Sequence, residues 1–277
     1  MEAICRALGV SRSGYYAWRS RRPSRRAQED ERLLETITAL HRHSRRTYGS
    51  PRMTRELRER GCRCSENRIA RIMRENGLRA RTTRLFRRKS HRGEYYRAEG
   101  NLLQGRPAPK KVNEVWVADL TYIKTGEGWF YLAAIMDLYS RKVVGWSMDK
   151  MRDTPLALKA FNRAWSSRGR PTGLLFHTDQ GIEFLNNVFK MRLKRCGVIQ
   201  STSRRGRCHD NAHMESFFHT LKNELLKFER LATRAQARVL ISDYIRAFYN
   251  RERRHSGLGF LSPEQYERQK QTTVTVH

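Results

Sequence analysis

The chain has 277 residues, which is enough for one large domain or two modest domains with cores of their own. It carries 57 lysines and arginines against 27 acidic residues, a formal net charge of +30. Such an excess repels itself in a compact protein unless a polyanion is close, and nucleic acid is the usual polyanion. A protein of a membrane surface or of the ribosome would share this composition, so both alternatives stay open.

Membrane insertion and secretion are the classes that the sequence argues against. No run approaches the roughly 18 apolar residues of a membrane span. The first ten residues, MEAICRALGV, are too short for a signal peptide and lack a cleavage pattern. We therefore expect a cytoplasmic protein without a membrane partner. The five cysteines are scattered and form no CxxC pair, which predicts reduced thiols and no zinc site.

The first part of the chain predicts helices. Residues 1–28 are expected to form a basic N-terminal helical element, and residues 29–78 a helix-turn-helix domain. Ser50 and Ser65 are N-cap candidates for two short amphipathic helices, and Gly77 is a stop signal for the second of them. Two short capped helices joined by a tight turn are typical of a DNA-binding helix-turn-helix.

The second of these helices predicts a DNA-reading surface. Its apolar residues occupy one face, which leaves four polar residues to face outward: Asn67, Arg68, Arg71 and Arg74. A recognition helix in a major groove has this character. An ordinary helical hairpin with a solvated basic face is the alternative interpretation.

The remainder of the chain divides into three segments. Residues 79–111 have the composition of a basic linker. Residues 112–250 alternate strand-like runs with helical patterns: three strands with short connections, a helix, a strand, a helix, a strand and two helices. This order predicts an α/β domain with a mixed sheet and helices on its faces. Residues 251–277 are expected to be a basic C-terminal tail.

Three acidic residues of the α/β domain stand at informative places. Asp119 interrupts the first strand among apolar residues, where a carboxylate costs desolvation. Asp179 ends the fourth strand, which is where α/β sheets place functional side chains. Glu215 lies beside the apolar stripe of the helix after the fifth strand, and Lys222 follows two helical turns later. Each acid alone is more often a salt-bridged or capping residue.

Taken together, the three acids predict a metal site. Their carboxylates would repel one another at neutral pH unless a divalent cation joined them. Oxygen ligands without His or Cys favour Mg²⁺ or Mn²⁺ over zinc. Two such ions roughly 4 Å apart could activate a water or a 3′-hydroxyl and stabilise the leaving oxygen of a phosphodiester. Basic residues nearby would hold the DNA backbone: Arg204, Arg205, Arg207 and Lys222.

Other acids of the domain are rivals for these roles. Asp137, Asp149, Asp153 and Asp210 have loop or capping roles as their simpler explanation. Asp210 and Asn211, just ahead of the helix of Glu215, are candidates for its N-cap.

Several sequence blocks resemble a known superfamily. WVADLTYI, HTDQGIEF and CHDNAHMESFF are similar to the three catalytic blocks of DDE transposases and retroviral integrases, and 35 residues lie between Asp179 and Glu215, the interval of the DD(35)E signature. The resemblance is closer to bacterial insertion-sequence transposases of the IS-three family, second-reading-frame product. Its flanking blocks are similar to YGSPRMTRELRERG, ENRIARIMRENGL and YNRERRHSGLGFLSPEQY.

The resemblance, which covers nearly the whole chain, implies a fold, an activity and partners. It implies a ribonuclease-H-like core over 112–250 and magnesium-dependent cleavage and transfer of DNA strands. Terminal inverted repeats and target DNA would be the substrates. At least a dimer would act on them, as a nucleoid-associated protein. It assigns Asp119, Asp179 and Glu215 as the catalytic triad and Lys222 as a DNA contact near the active site.

Alternatives remain at this point. A non-catalytic DNA-binding regulator of transposition would use the helix-turn-helix alone, and a ribonuclease acting on RNA–DNA hybrids would share the metal chemistry. The family's full-length transposase resembles a frameshift fusion whose upstream part adds a second helix-turn-helix and a leucine zipper. No heptad run is visible here, so either this is the second-frame product alone or the dimerising element is missing.

Overall fold

The computed structural model describes residues 1–81, 100–203 and 211–274, with side chains through Lys270. The chain divides into two compact units, Met1–Ala80 and Arg81–His277. No helix among the described residues is long and apolar enough to cross a membrane.

The first unit is all helical. Its helices are α1 (Glu2–Ala7), α2 (Arg12–Ser20), α3 (Arg25–His43), α4 (Ser50–Glu59) and α5 (Glu66–Glu75). Serine side chains begin three of them, because the hydroxyl oxygens of Ser11, Ser24 and Ser65 accept hydrogen bonds from backbone N–H groups of the first turn.

The predicted helix-turn-helix is the pair α4 and α5, supported by α3. Its core consists of residues that are at most 5% exposed: Ile37, Leu40, Met53, Leu57, Ile69, Ile72 and Met73. The N-cap prediction for Ser65 is confirmed, whereas that for Ser50 is wrong by one residue. Gly49 occupies the cap and Ser50 opens the helix, with Pro51 in its first turn.

The second unit contains one five-stranded mixed sheet. Its strands are β1 (Val115–Thr125), β2 (Gly128–Asp137), β3 (Val143–Asp149), β4 (Leu175–Thr178) and β5 (Ile199–Thr202). The order across the sheet is β3-β2-β1-β4-β5. Strands β1 to β3 form an antiparallel meander, and β4 and β5 add in parallel at the β1 edge. The predicted α/β class, a ribonuclease-H-like mixed sheet flanked by helices, is confirmed.

Helices cover the sheet and complete the unit: α6 (Thr154–Ser167), α7 (Ile182–Leu185), α8 (Asn187–Arg195), α9 (Ala212–Glu224), α10 (Arg234–Asp243) and α11 (Pro263–Val274). A π-helix, Tyr244–Tyr249, continues α10. Helix α6 lies so close to β3 that a Cβ on Gly145 would stand 2.6 Å from the carbonyl oxygen of Ala160. That approach requires glycine and brings Phe161 against Trp116 and Phe176 in the core.

The segment predicted as a basic tail has a different character in the structure. Residues 251–274 belong to the second compact unit, and the side chains of Arg253 and Arg254 are at most 6% exposed. The Asn250 side chain accepts from the Val143 amide at 3.0 Å and donates to its carbonyl at 2.9 Å. Buried arginines must find acceptors: Arg253 pairs with Glu224, and Arg254 donates to the carbonyl oxygen of Phe260 at 2.9 Å.

Candidate active site

Asp119 lies on β1, and Asp179 directly follows the neighbouring parallel strand β4. The register pairs Ala118 with Thr178, the last residue of β4, so each aspartate is the next residue along the chain. Adjacent strands are about 4.8 Å apart, which makes these two backbones neighbours. Both carboxylates are held locally: Oδ1 of Asp119 accepts from the Leu120 amide at 2.7 Å, and Oδ1 of Asp179 accepts from the Gly181 amide at 3.0 Å.

Helix α9 begins against the same strand. Asn211 occupies the predicted N-cap position, but its side chain makes no cap hydrogen bond. Its Nδ2 instead donates to the carbonyl oxygen of Ala118 at 2.9 Å, next to Asp119. Its Oδ1 is buried without a hydrogen-bond partner among the described residues. Glu215 lies in the first turn of this tethered helix and is exposed.

The charges of Asp179 and Glu215 both act on the carboxyl group of Asp119. Burial, together with the charges of Asp179 and Glu215, raises the pKa of Asp119 to about 7, whereas the Leu120 amide and Arg152 oppose the shift. A carboxyl group with this pKa has too little positive charge around it to remain fully ionised at neutral pH.

The donor chemistry suits a hard divalent cation, since all three side chains offer carboxylate oxygens. Among residues 1–81, 100–203 and 211–274, however, no three His, Cys, Asp or Glu side chains are grouped closely enough to hold one metal ion. The predicted metal-sized cluster thus stays a prediction.

Lys222 lies two turns beyond Glu215 on α9. Its Nζ is 4.8 Å from the centre of the Tyr122 ring on β1, a cation–π contact. Burial lowers the pKa of Lys222, and the charge of Asp119 works in the opposite direction. The ammonium group therefore stands within electrostatic reach of the aspartate.

The rival aspartates have structural roles. Asp137 is fully buried and accepts from the amides of Asn113, Tyr139 and Ser140. Asp153 caps α6 by accepting from the Leu156 amide at 3.0 Å. Asp149 pairs with Lys159 at 3.3 Å on the surface. These observations agree with their simpler explanations, and Asp210 lies outside the described residues.

Comparison with known proteins identifies the family. Two family models described as "Integrase core domain" match residues 109–208 and 196–263, and one described as "HTH-like domain" matches 28–86. The chain is 42% identical over 260 residues to "Insertion element IS600 uncharacterized 31 kDa protein" of Shigella sonnei, covering 94% of this chain and 96% of that protein. It is 40% identical over 269 residues to "Transposase InsF for insertion sequence IS3A" of Escherichia coli (strain K12), covering 96% and 93%.

The chain belongs to the IS3 family of transposases. Solved structures with a similar fold include the HTLV-2 integrase catalytic core domain in complex with magnesium, at 20% identity and a TM-score of 0.45 over 57% of this chain and 98% of that one. A simian T-cell lymphotropic virus intasome chain is 15% identical, with a TM-score of 0.49 over 83% and 74%. Cleavage and transfer of DNA strands is the general activity of this family, its integrase cores generally use divalent metals, and its HTH-like domain implies DNA binding.

The helix-turn-helix of this IS3-family chain differs from prediction in one respect. Asn67 and Arg74 are exposed on α5, as expected. Arg68 and Arg71 do not simply face solvent, because both bind the carboxylate of Asp30 on α3, Arg68 through Nε at 2.6 Å and Arg71 through Nη2. Both side chains are still partly exposed, at 21% and 35%, so their contact with DNA stays a prediction. Arg204, Arg205 and Arg207 lie outside the described residues.

Sequence reasoning missed two features of the site. The hydrogen bond from Asn211 to Ala118 could not be predicted from the sequence, because an asparagine just before a helix is normally its N-cap. The second feature is an ion pair between Arg152, which precedes α6, and Glu183, which is 2% exposed in α7. Glu183 lies four residues after Asp179 in HTDQGIEF, and this short separation is the sequence feature that could have placed Glu183 near the site.

Proposed function

We propose that this chain cleaves and joins DNA strands at insertion-sequence ends, with Asp119, Asp179 and Glu215 as its catalytic carboxylates. The observation that carries the proposal is the half-buried Asp119 carboxyl group on the strand beside Asp179, which experiences the charges of both other acids. Two Mg²⁺ or Mn²⁺ ions held by the three side chains would supply an activated attacking hydroxyl and a stabilised leaving oxygen.

The residues of the chain have separate tasks in this reaction. The amides of Leu120 and Gly181 fix the orientation of Asp119 and Asp179, which limits how far the carboxylates must move to act. The Asn211 side chain anchors the start of α9 on β1 and thereby positions Glu215. Lys222 binds a phosphate beside the site. With the three carboxylates gathered around divalent cations, the attacking oxygen and the phosphodiester would meet beside Asp119.

DNA binding involves both units. In the first unit, Asn67 and Arg74 contact DNA from the exposed side of α5, and Arg68 and Arg71 become available only if DNA displaces Asp30. In the second unit, Arg204, Arg205 and Arg207 hold the backbone together with Lys222. Terminal inverted repeats and target DNA are the substrates, and at least a dimer brings two ends together.

Replacement of Asp179 tests the chemistry directly. The purified full chain is incubated with labelled double-stranded element ends and Mg²⁺, and both nicking and strand joining are followed. D179N should reduce both reactions to background, because a neutral amide binds a divalent cation more weakly than a carboxylate and does not balance its charge, while binding of the same DNA is unchanged. D149N is the matched control, since Asp149 is a surface carboxylate of the same unit paired with Lys159.

The assay also separates the alternatives. Retained joining by D179N would overturn the triad. End binding without nicking by the unaltered chain would favour the non-catalytic regulator. Degradation of an RNA–DNA hybrid in preference to DNA ends would favour the ribonuclease.

A further inference from the structure

An arginine and a buried carboxylate stand beside the proposed triad. Nε of Arg152 donates to Oε1 of Glu183, and Nη2 lies 3.5 Å from Oε2. The Glu183 side chain is 2% exposed, whereas that of Arg152 is 53% exposed. The carboxylate is therefore enclosed by protein, and the guanidinium closes the enclosure with one side in solvent.

This pair is immediately next to Asp179. A Cβ placed on Gly181 would lie 2.7 Å from Oε2 of Glu183 and 3.0 Å from Oδ1 of Asp179, so the two carboxylates flank the same point of the backbone. The charge of Arg152 also acts on Asp119, lowering its pKa against the effect of burial. Arg152 is thus a cation at the edge of the carboxylate site.

The guanidinium retains unused binding capacity. Arginine has five N–H donors in a planar fork, which matches the oxygens of a phosphate. Glu183 engages Nε and Nη2, and Nη1 of Arg152 makes no hydrogen bond in the described part of the chain. A buried carboxylate that fixes one edge of a guanidinium leaves the other edge oriented toward a ligand, and this reduces the entropy lost on binding.

We propose that Arg152 binds a phosphate of the DNA strand that enters the active site, and that Glu183 is the positioning residue that holds it there. The proposal rests on the function proposed above. The competing explanation is structural: Arg152 would serve only to neutralise a carboxylate that is costly to bury alone. The two explanations differ in what happens when both charges are removed together.

The test uses the full chain with R152A, R152K, E183Q and the double variant R152A/E183Q, and K159A as control. Lys159 is a comparably exposed cation, 57% exposed, paired with Asp149 on the same unit. Binding of labelled element ends is measured over a series of salt concentrations without divalent metal, so that no chemistry is required. Thermal unfolding of each variant is recorded alongside.

A phosphate contact predicts that R152A weakens binding about tenfold and lowers the slope of log affinity against log salt by about one. R152K should recover part of the affinity, and the double variant should unfold normally yet bind as weakly as R152A. K159A should bind like the unaltered chain.

Recovery of full affinity and of the unaltered salt slope in R152A/E183Q would overturn the proposal in favour of neutralisation. Unchanged binding by R152A would overturn it as well. Failure of the triad is distinguishable, because it shows as strand joining by D179N and leaves these binding curves as they are.

Discussion

Asp119 illustrates how a single side chain can oppose folding at neutral pH. The backbone amide of Leu120 orients its carboxylate, but burial and two neighbouring acids raise its pKa to about 7. Because the folded state holds this proton more tightly than the unfolded chain, whose ordinary pKa is 3.8, the contribution to stability falls as pH rises from about 4 to 7. Above that window the carboxylate is ionised at its full cost.

Replacing this carboxyl group should therefore stabilise the metal-free protein. In the presence of a chelator at about pH 8, we expect D119N to raise the free energy of unfolding by roughly 1 to 4 kcal/mol, because an amide has no charge to bury. The gain should shrink toward about pH 5, where Asp119 is largely protonated. Thermal or urea unfolding at the two pH values measures it.

The control for this prediction is D149N. The amide of Lys150 and the ammonium group of Lys159 together outweigh burial and lower the pKa of Asp149, so its carboxylate is favoured in the fold. D149N should bring no gain at either pH. A D119N variant that is less stable than the unaltered chain at about pH 8 would contradict the prediction.

Among the elements, helix α9 is fixed at both ends. Asn211 tethers its start to β1, and Glu224 anchors its last turn. The Glu224 carboxylate accepts from the Tyr244 hydroxyl at 2.7 Å and from Nε and Nη2 of Arg253 at 2.8 and 2.7 Å. Both members of this ion pair are at most 7% exposed. The helix that carries Glu215 and Lys222 is thereby locked to the C-terminal part of the unit.

Breaking this buried pair should be costly. We expect R253M to lower the free energy of unfolding by about 3 to 5 kcal/mol, because Glu224 would remain buried without its cation. A double variant, E224Q/R253M, should recover part of the loss. Urea unfolding measures all three proteins.

The matched control is R55M, since Arg55 and Glu59 form an exposed pair on α4. That change should cost less than about 1 kcal/mol. Equal losses of unfolding free energy in R253M and R55M would show that the buried pair contributes no more to stability than the exposed pair.

A second ion-pair cluster joins α3 to α5 in the first unit. Burial alone would raise the pKa of Asp30, but hydrogen bonds from Arg71 and Arg68 outweigh it and hold the pKa below 3.8. This contribution is present above pH 3.8 and is lost as pH falls through the lowered pKa of the folded state. Helix α5 therefore depends on an acid from its neighbour α3 for its position.

Removing that acid should loosen α5 at neutral pH. In D30N we expect amide hydrogen exchange across α5 to become faster, because two arginines lose their ionic partner. Exchange in the unaltered protein should rise toward that of D30N as pH falls below about 4, once exchange rates are corrected for pH. E59Q on α4 is the control, and equal exchange in D30N and the unaltered chain would contradict the prediction.

For the whole molecule, the decisive feature is that the second unit extends to the C-terminal helix. Glu267 on α11 accepts from Ser140 at 2.8 Å and from two nitrogens of Arg168 at 2.9 and 3.0 Å. Arg168 also lies 3.6 Å from the fully buried Asp137. The segment after Asn250 thus supplies charges that compensate others deep in the sheet domain.

Truncation after Asn250 should consequently destabilise the entire second unit. Glu224 would lose Arg253, and Arg168 would lose Glu267, so buried charges at two places would be left unpaired. We expect the cooperative unfolding transition of the β-sheet unit to weaken or disappear in circular dichroism melts. A truncated chain that unfolds at the temperature of the full chain would show that the segment is dispensable, as a tail would be.

The sequence by itself determined the strands and helices of the sheet domain up to residue 250 and the three candidate acids, but not the C-terminal helix α11. Strand and helix patterns depend on neighbours only a few residues apart, and the position of Asp119 and Asp179 at strand-adjacent sites follows from the same local pattern. The sign of the net charge and the order of the strands along the chain pointed to a DNA-acting α/β domain. These features need no knowledge of distant contacts.

Only the tertiary structure decided which charged side chains are paired within the protein. Asp30 and Arg71 are 41 residues apart in sequence, Arg152 and Glu183 are 31 apart, and Ser140 and Glu267 are 127 apart. No local periodicity encodes such pairings, because they arise when separate elements pack and a buried charge must find a partner. For that reason a segment that looked like a basic tail is part of the core, and two arginines expected to face DNA are held by an aspartate.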